Sequence, residues 1–378
     1  MAPSTVGTKR NTSGLIAESE LDRRNCRRRL KVALALALAL PVPLLGIGLL
    51  IRWSVPLASS MTASDPFQFI MCNDTEPCCN GLPELCDVPV NKIMFAGVHN
   101  GMSSSEGGFL APNHRRRLGG ALGAGYRAFF LDVCYCGDYD RGRIAFCHSV
   151  CGVGTMEVEE VFDELSSFLM SHTSEVIILE FEMHKAMPDP GWLFMIRDLM
   201  EPSGLLDMLY PHHGGYWSDW PLLRDLVDQN RRLIIMHHNG PWCFPPPPRS
   251  IPRPLICPPG FLNYHVYSFE TPYGLKGAKE VLDYEQSCQH AAGHKGTQGF
   301  FIMNHFAKDF FDLPYWGIAR QLNGEEILSE RIAYCSVVQG ERPNIVSVDF
   351  WSIGDLPRVT QTQNRMIARE RLISSRGA

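Results

Sequence analysis

The chain has 378 residues, 45% hydrophobic and 20% charged, a balance that excludes a wholly disordered polymer and suits a protein with a substantial buried core. Its net charge of −5 divides unevenly: residues 1 to 52 carry nine Lys/Arg against three Asp/Glu, a net of +6, which leaves −11 on the remainder. So acidic a body argues against nucleic acid as a partner, because gripping a phosphate backbone needs a basic face.

In chain order, residues 1–31 are polar and basic with no hydrophobic period and read as a disordered cytosolic tail. Val32 to Ile51 is a run of twenty uncharged residues, long enough to cross a bilayer as a helix, with Pro41 and Pro43 as kink points. Arg23, Arg24, Arg27, Arg28, Arg29 and Lys31 stand just before it. The positive-inside bias therefore predicts a single-pass type II anchor over 32–52, with everything after it lumenal or extracellular. A cleaved signal peptide ending near Ala58-Ser59-Ser60 is the competing reading. Of thirteen cysteines, Cys26 alone precedes the run and twelve follow it, an even number suited to disulfides in an oxidising compartment. Residues 53–87 form a linker in which Cys72, Cys78, Cys79 and Cys86 cluster around the glycosylation sequon Asn73-Asp74-Thr75. Spacing alone leaves their pairing open.

From residue 88 onward one pattern repeats: a short apolar run rich in β-branched and aromatic residues, a polar cluster, then a segment with helical spacing. The eight runs are Ile93 to Gly97, Ala128 to Val133, Ile144 to Cys147, Val176 to Phe181, Leu233 to Met236, Tyr264 to Ser268, Phe300 to Met303 and Ile345 to Val348. Continuous apolar strands joined by helices indicate a parallel sheet covered on both faces, and eight of them predict a TIM-type (β/α)8 barrel over 88–365, with a tail at 366–378. Thr155 to Met170 reads as a helix with Thr155 as N-cap, and Trp192 to Met200 and Pro221 to Asn230 as two more. The Pro-rich stretch 241–259 reads as a loop.

A parallel barrel carries its active site at the carboxyl ends of the strands. The runs close there on polar, titratable residues: His99-Asn100, Asp132, His148, Glu182 and His184, His237-His238, Glu270, Asn304-His305 and Asp349. Singly, each reads as a hydrogen-bonded structural residue. Together they describe a polar mouth.

Gly97-Val98-His99-Asn100, then Gly125-Tyr126-Arg127 with Leu131-Asp132, Cys147-His148-Ser149, and Ser174 to Leu179 with Glu182 occur in the order of the X-box region of phosphatidylinositol-specific phospholipases C, which this sequence resembles. Asn230 to Ile234, Asn304-His305-Phe306 and Asn344 to Trp351 resemble a single-domain subgroup of these phosphodiesterases. The resemblance implies His99 as the base on an inositol hydroxyl, His148 as the acid for the departing alcohol, and Asp349 as the carboxylate that orients His99. It also implies a divalent cation, Ca2+ or Mg2+, on Asn100, Asp132 and Glu182. Two departures stand out: Phe130 occupies the place of a fourth, acidic ligand, and Cys134 the place where metal-independent members carry Arg. Substrate contacts are assigned to Arg127, Asn304, His305 and Glu270, with a structural bond at the strand start as the other reading of Arg127. Arg141 and Arg143 are further sources of positive charge, and His114-Arg115-Arg116-Arg117 is read either as a headgroup contact or as a solvated basic turn. Loss of both charge-neutralising devices would leave a catalytically silent barrel that binds lipid or glycan. Cys134, Cys136, Cys147 and Cys151 suit disulfides better than a zinc cluster in this compartment. The implied partner is a phospholipid or related phosphodiester at a membrane, with no obligate protein partner.

Overall fold

Apolar runs flanked by turn residues fold here into one curled parallel sheet wrapped in helices. The computed structural model describes residues 72, 77–137, 142–184, 191–212, 217–238, 257–296 and 298–376. The predicted tail 1–31, the anchor 32–52, the sequon, Arg141 and most of the Pro-rich loop lie outside them. No helix among the described residues is long and apolar enough to cross a membrane.

The strands are β1 (Phe95–Val98), β2 (Ala128–Cys136), β3 (Arg143–His148), β4 (Val150–Met156), β5 (Ile177–Met183), β6 (Leu233–His238), β7 (Phe261–Asn263), β8 (Ser268–Glu270), β9 (Ala292–Gly293), β10 (Phe300–Asn304) and β11 (Ile345–Val348). Eight of them run parallel in the order β7-β6-β5-β2-β1-β11-β10-β8. β1 and β11 come so close that a Cβ on Gly97 would meet Ile345 Cγ2 at 2.9 Å, so the first strand needs glycine there. The helices include α1 (Leu118–Gly123), α2 (Val158–Ser171), α3 (Trp192–Met200), α4 (Leu223–Asp228), α5 (Gly277–Leu282), α6 (Trp316–Leu322), α7 (Glu325–Gln339) and α8 (Leu356–Arg376).

Strand alternation sorts the core into two layers. Phe95, Ala128, Ile178, Ile234, Met236, Phe300, Ile302 and Ile345 pack on one another inside the curl and against Leu82 and Leu85 of the Cys-rich segment and Val88 and Val90 just after it. The intervening Leu131, Leu179, Ile235, Met303 and Val346 pack outward on Val161, Leu165, Ile196 and Ile332 of the helices. Burial on both faces is why these strands are apolar at nearly every position.

Four expectations are corrected. The predicted third strand is not in the parallel set: β3 runs antiparallel to β2 and pairs with β4 as an excursion from the sheet. The predicted sixth run is split, with Tyr264–Tyr267 coiled into a helical turn between β7 and β8. Among the described residues no pairing joins β7 to β8, so the sheet is barrel-like rather than a closed (β/α)8 ring. Thr155 does not cap α2, because β4 extends through Met156 and pairs Thr155 with Cys147; Glu157 holds the N-cap position.

Disulfides join Cys72–Cys78, Cys79–Cys86, Cys134–Cys147, Cys136–Cys151 and Cys288–Cys335, and Cys257 is also disulfide-bonded. The cysteines beside His148 therefore form cross-links between β2 and the β3–β4 hairpin, and a zinc cluster there is excluded.

Candidate active site

At the carboxyl end of the parallel strands the inner layer turns from apolar to polar. There a cavity of about 140 Å³ is lined by His99, Asn100, Phe130, Asp132, Glu180, Glu182, His238, Tyr264, His265, Glu270, Tyr273, Asn304 and Phe306, among others. The register explains the gathering, since Asp132, Glu182 and His238 are cross-strand partners on β2, β5 and β6.

His99 follows β1, and its Nδ1 lies 2.9 Å from Asp349 Oδ1, just past β11. Asn113 Nδ2 donates to the same carboxylate oxygen at 2.9 Å. The imidazole also stacks on Phe306, with centroids 3.7 Å apart and planes 5° from parallel. Burial works to raise the Asp349 carboxyl, but the His99 charge and hydrogen bond, His114 and Asn113 together hold it below the ordinary carboxylate range. An ionised Asp349 fixes the proton on His99 Nδ1 and leaves Nε2 as the basic nitrogen. At 21% side-chain exposure, His99 is open enough for that nitrogen to be reached.

Behind it, His114 acts as a strut. Its Nε2 donates to the His99 carbonyl at 2.6 Å and its Nδ1 accepts from the Trp351 backbone N–H at 3.4 Å. Complete burial lowers its pKa to about 4, in keeping with the neutral tautomer these bonds require. The headgroup role considered for His114 is thereby corrected to a supporting one.

His148 ends β3, beside but outside the residues lining the cavity. Its Nδ1 donates to the Ala111 carbonyl at 3.2 Å. Burial lowers its pKa, and the charges of Asp132, His99 and Asp349 all act on it, which places it within electrostatic reach of the other site groups. Cys147, next to it, is tied to Cys134 of β2. The same cross-link occupies the position where a charge-neutralising Arg was sought.

His99, His148 and Asp349 share one backbone feature: the next residue in each case, Asn100 (φ 51°), Ser149 (φ 65°) and Phe350 (φ 52°), is left-handed. Such conformations cost free energy outside glycine and concentrate at sites where geometry is imposed.

Asp132 is buried and accepts from His184 Nε2 at 3.2 Å, with Glu182 Oε2 at 3.8 Å from the same nitrogen. The hydrogen bond to Asp132 raises the His184 pKa. Ligand atoms of Asp132, Glu182 and His184 lie within 4.8 Å of one another, close enough to surround one cation. With its nitrogen turned toward Asp132, Asn100 donates to Oδ1 at 2.9 Å and Oδ2 at 3.2 Å; turned the other way, its oxygen would join the carboxylate around an ion. Two carboxylates and an amide suit calcium or magnesium, whereas the added imidazole suits transition metals.

Deeper in, Glu180 of β5 pairs with His238 of β6. Burial pushes the Glu180 carboxyl up to about 7. It also works against the His238 imidazolium, yet the Glu180 charge and hydrogen bond, with Glu182 and Glu270 behind them, raise that group to about 9. His238 stacks on Tyr264 at 3.8 Å, and Asn304 Nδ2 donates to Glu270 Oε2 at 2.7 Å.

Two of the predicted substrate contacts are absent from the cavity. Arg127 stands at the opposite end of β2, 2% exposed, bonded to Glu175 at 2.7 Å and to the carbonyls of Leu122 and Tyr126. His305 is fully buried, bonded to the Leu322 carbonyl at 3.1 Å and to Arg331 at 3.1 Å. Both are corrected to structural residues. Asn304 and Glu270 do line the mouth. Glu180, Asn113 and Phe306 were not read as site residues; Glu180 had a signal in its alternation with Glu182 on one strand face, and Phe306 one in the Asn304-His305-Phe306 motif.

The chain is similar to several known proteins. The PI-PLC X family model described as PI-PLC X 1 matches residues 85–364. "PI-PLC X domain-containing protein 1" of Arthroderma benhamiae is 24% identical over 331 residues, covering 85% of this chain and 96% of the relative. Phosphatidylinositol-specific phospholipase C from Listeria monocytogenes shares the fold, with a TM-score of 0.50 and 15% identity over 77% of this chain and 96% of its own. The corresponding Staphylococcus aureus enzyme, at 11% identity, overlaps 70% of this chain and 88% of its own with a TM-score of 0.45.

Proposed function

The chain belongs to the PI-PLC X domain family, and from that premise we propose that it is a phosphodiesterase cleaving a phosphoinositide or related phosphodiester by paired histidine acid–base chemistry. The observation that carries this reading is the 2.9 Å bond between His99 Nδ1 and Asp349 at the edge of a polar cavity, with His148 in electrostatic reach. His99 Nε2 takes the proton of the hydroxyl beside the phosphodiester, and that oxygen attacks phosphorus. The bond from phosphorus to the departing alcohol breaks, and His148 delivers a proton to the leaving oxygen. The products are diacylglycerol, or another alcohol, and a cyclic phosphodiester. Asp349 holds the tautomer and stabilises the imidazolium.

A divalent cation bound by Asn100, Asp132 and Glu182, with His184 beside them, would neutralise charge as it builds on the phosphate. Membrane substrate is favoured by Phe310 and Phe311, 89% and 69% exposed in the loop after β10, on the mouth side of the sheet. The anchor read at 32–52 would keep the chain at a lumenal or extracellular membrane surface.

One observation favours a second reading, a catalytically silent barrel displayed for binding: among the described residues lining the cavity none is Lys or Arg. Purified full-length chain on phosphatidylinositol vesicles, with and without chelator, separates the two. Release of inositol phosphate that disappears in His99→Ala and in His148→Ala supports the enzyme. Equal release by parent and variants excludes the histidine mechanism, and chelator sensitivity decides the cation.

A further inference from the structure

His148 stands outside the parallel sheet, on the β3–β4 hairpin, and the hairpin's own ladders do little to fix it. The pairing of β2 with β3 ends with Val133 opposite Phe146, two residues short of His148. On its other side the β3–β4 pairing jumps from Cys147 opposite Thr155 to His148 opposite Val150, so residues 151–154 bulge out of that ladder. The bulge contains Gly152 and Gly154, the latter at φ 140°, and the turn before it holds Ser149 at φ 65°. Such a segment is entropically costly to order.

Two covalent ties straddle the histidine. Cys147, just before it, is joined to Cys134, and Cys151, three residues after it, to Cys136. Both anchors lie on β2, the strand that brings Asp132 to the cavity. The bonds differ in depth: Cys134 and Cys147 are 3% and 0% exposed, whereas Cys136 and Cys151 are only half-buried. The inner bond belongs to the core. Among the described residues β4 has no ladder to β2, so the outer bond is what draws the bulge back onto that strand. The bulge in turn holds the loop on which His148 leans. Leu110 N–H donates to the Val153 carbonyl at 2.8 Å, and His148 Nδ1 donates to the Ala111 carbonyl at 3.2 Å.

We propose that the Cys136–Cys151 disulfide is a positioning element for His148, aiming its Nε2 at the leaving oxygen. The inference rests on reading His148 as the acid. Without the bond, the bulge and the Leu110–Ala111 stretch lose their common anchor, and the imidazole turns through orientations that cannot deliver the proton. A misplacement of about 1 Å is enough to cost on the order of 100-fold in rate. The loss depends on the departing group, because an alkoxide needs the proton as it leaves and a nitrophenolate does not.

Full-length chain and its Cys136→Ser/Cys151→Ser double variant are assayed on two soluble esters of myo-inositol 1-phosphate, one with an alkyl alcohol and one with p-nitrophenol. The variant should lose roughly tenfold or more on the alkyl ester and less than about twofold on the nitrophenyl ester. Equal losses on both, or no loss on either, overturn the positioning role while leaving a phosphodiesterase. Should the variant not fold, brief treatment of the parent with dithiothreitol opens the same surface bond by passing two electrons and two protons to it, and the same contrast between esters is read. Cleavage of neither ester by the parent overturns the enzymatic reading instead. In that event proton NMR of the His148 ring still decides, since burial holds its pKa below the ordinary 6.5. A midpoint that rises toward 6.5 once the bond is gone upholds the clamp, and an unchanged midpoint ends it.

Discussion

The two ends of the parallel sheet both carry charge, but they use it differently. At the foot, Arg127 and Glu175 are 2% and 1% exposed and lock together at 2.7 Å, while Arg232 donates to the carbonyls of His172 and Glu175. At the mouth, His99 and Glu182 are 21% and 48% exposed and face a cavity. A charge sealed between backbone groups holds strands in register. A charge left within reach of solvent on a rigid strand end is available for chemistry.

Substitution at each end sharpens that contrast. His99→Ala should lower the rate of lipid cleavage on the order of 10³-fold, the middle of the range for a positioned acid or base, with a melting temperature near that of the parent. Arg127→Ala should do the opposite. Leaving Glu175 buried without its partner costs about 3–5 kcal/mol, seen as a lower midpoint in urea, while kcat of the folded fraction stays at the parental value. A kinetic defect without a stability defect in the Arg127 variant would break the division between foot and mouth.

Legibility followed the same geometry. Six of the predicted runs sit in the sheet as parallel strands because burial on both faces makes such strands apolar throughout. Ile144 to Cys147 has the same composition, yet its neighbour Val150–Met156 contains two glycines and was not read as a strand, so the hairpin they form stayed hidden. At the site, one step along a strand reverses the side chain: Asn304 lines the mouth while His305 packs away from it, and His238 meets Glu180 while His237 is buried. Run ends name the neighbourhood but not which of two adjacent residues faces in. Glu180 lay inside an apolar run, and Asn113 and His114 reach the site only through a loop path that no periodicity encodes.

The strut behind the mouth gives a pH test. His114 has a folded pKa of about 4 against an ordinary 6.5, so the unfolded chain takes up its proton first as pH falls. Its contribution to stability is complete above the ordinary value and is lost as pH drops from 6.5 toward about 4, at roughly 1.4 kcal/mol per pH unit. His114→Gln removes that titration. Denaturation followed between pH 7 and pH 4.5 should show a slope shallower than the parent's by about that amount, and identical slopes would mean His114 is not held neutral.

The smallest effect is expected at the rim. Full burial of a Phe side chain is worth about 1.5–3 kcal/mol, and a bilayer interface takes up only part of it, so Phe310→Ser should weaken vesicle association by roughly 1 kcal/mol, about fivefold. The ring meets Phe311 edge to face at 5.4 Å and is 89% exposed, so stability should hold. Sedimentation with phosphatidylinositol vesicles measures the association directly. A soluble phosphodiester assayed in parallel reports on the mouth alone, and its turnover should be unchanged. If both assays fall together, the loop belongs to the chemistry of the cavity and the rim is not a separate lipid-facing element.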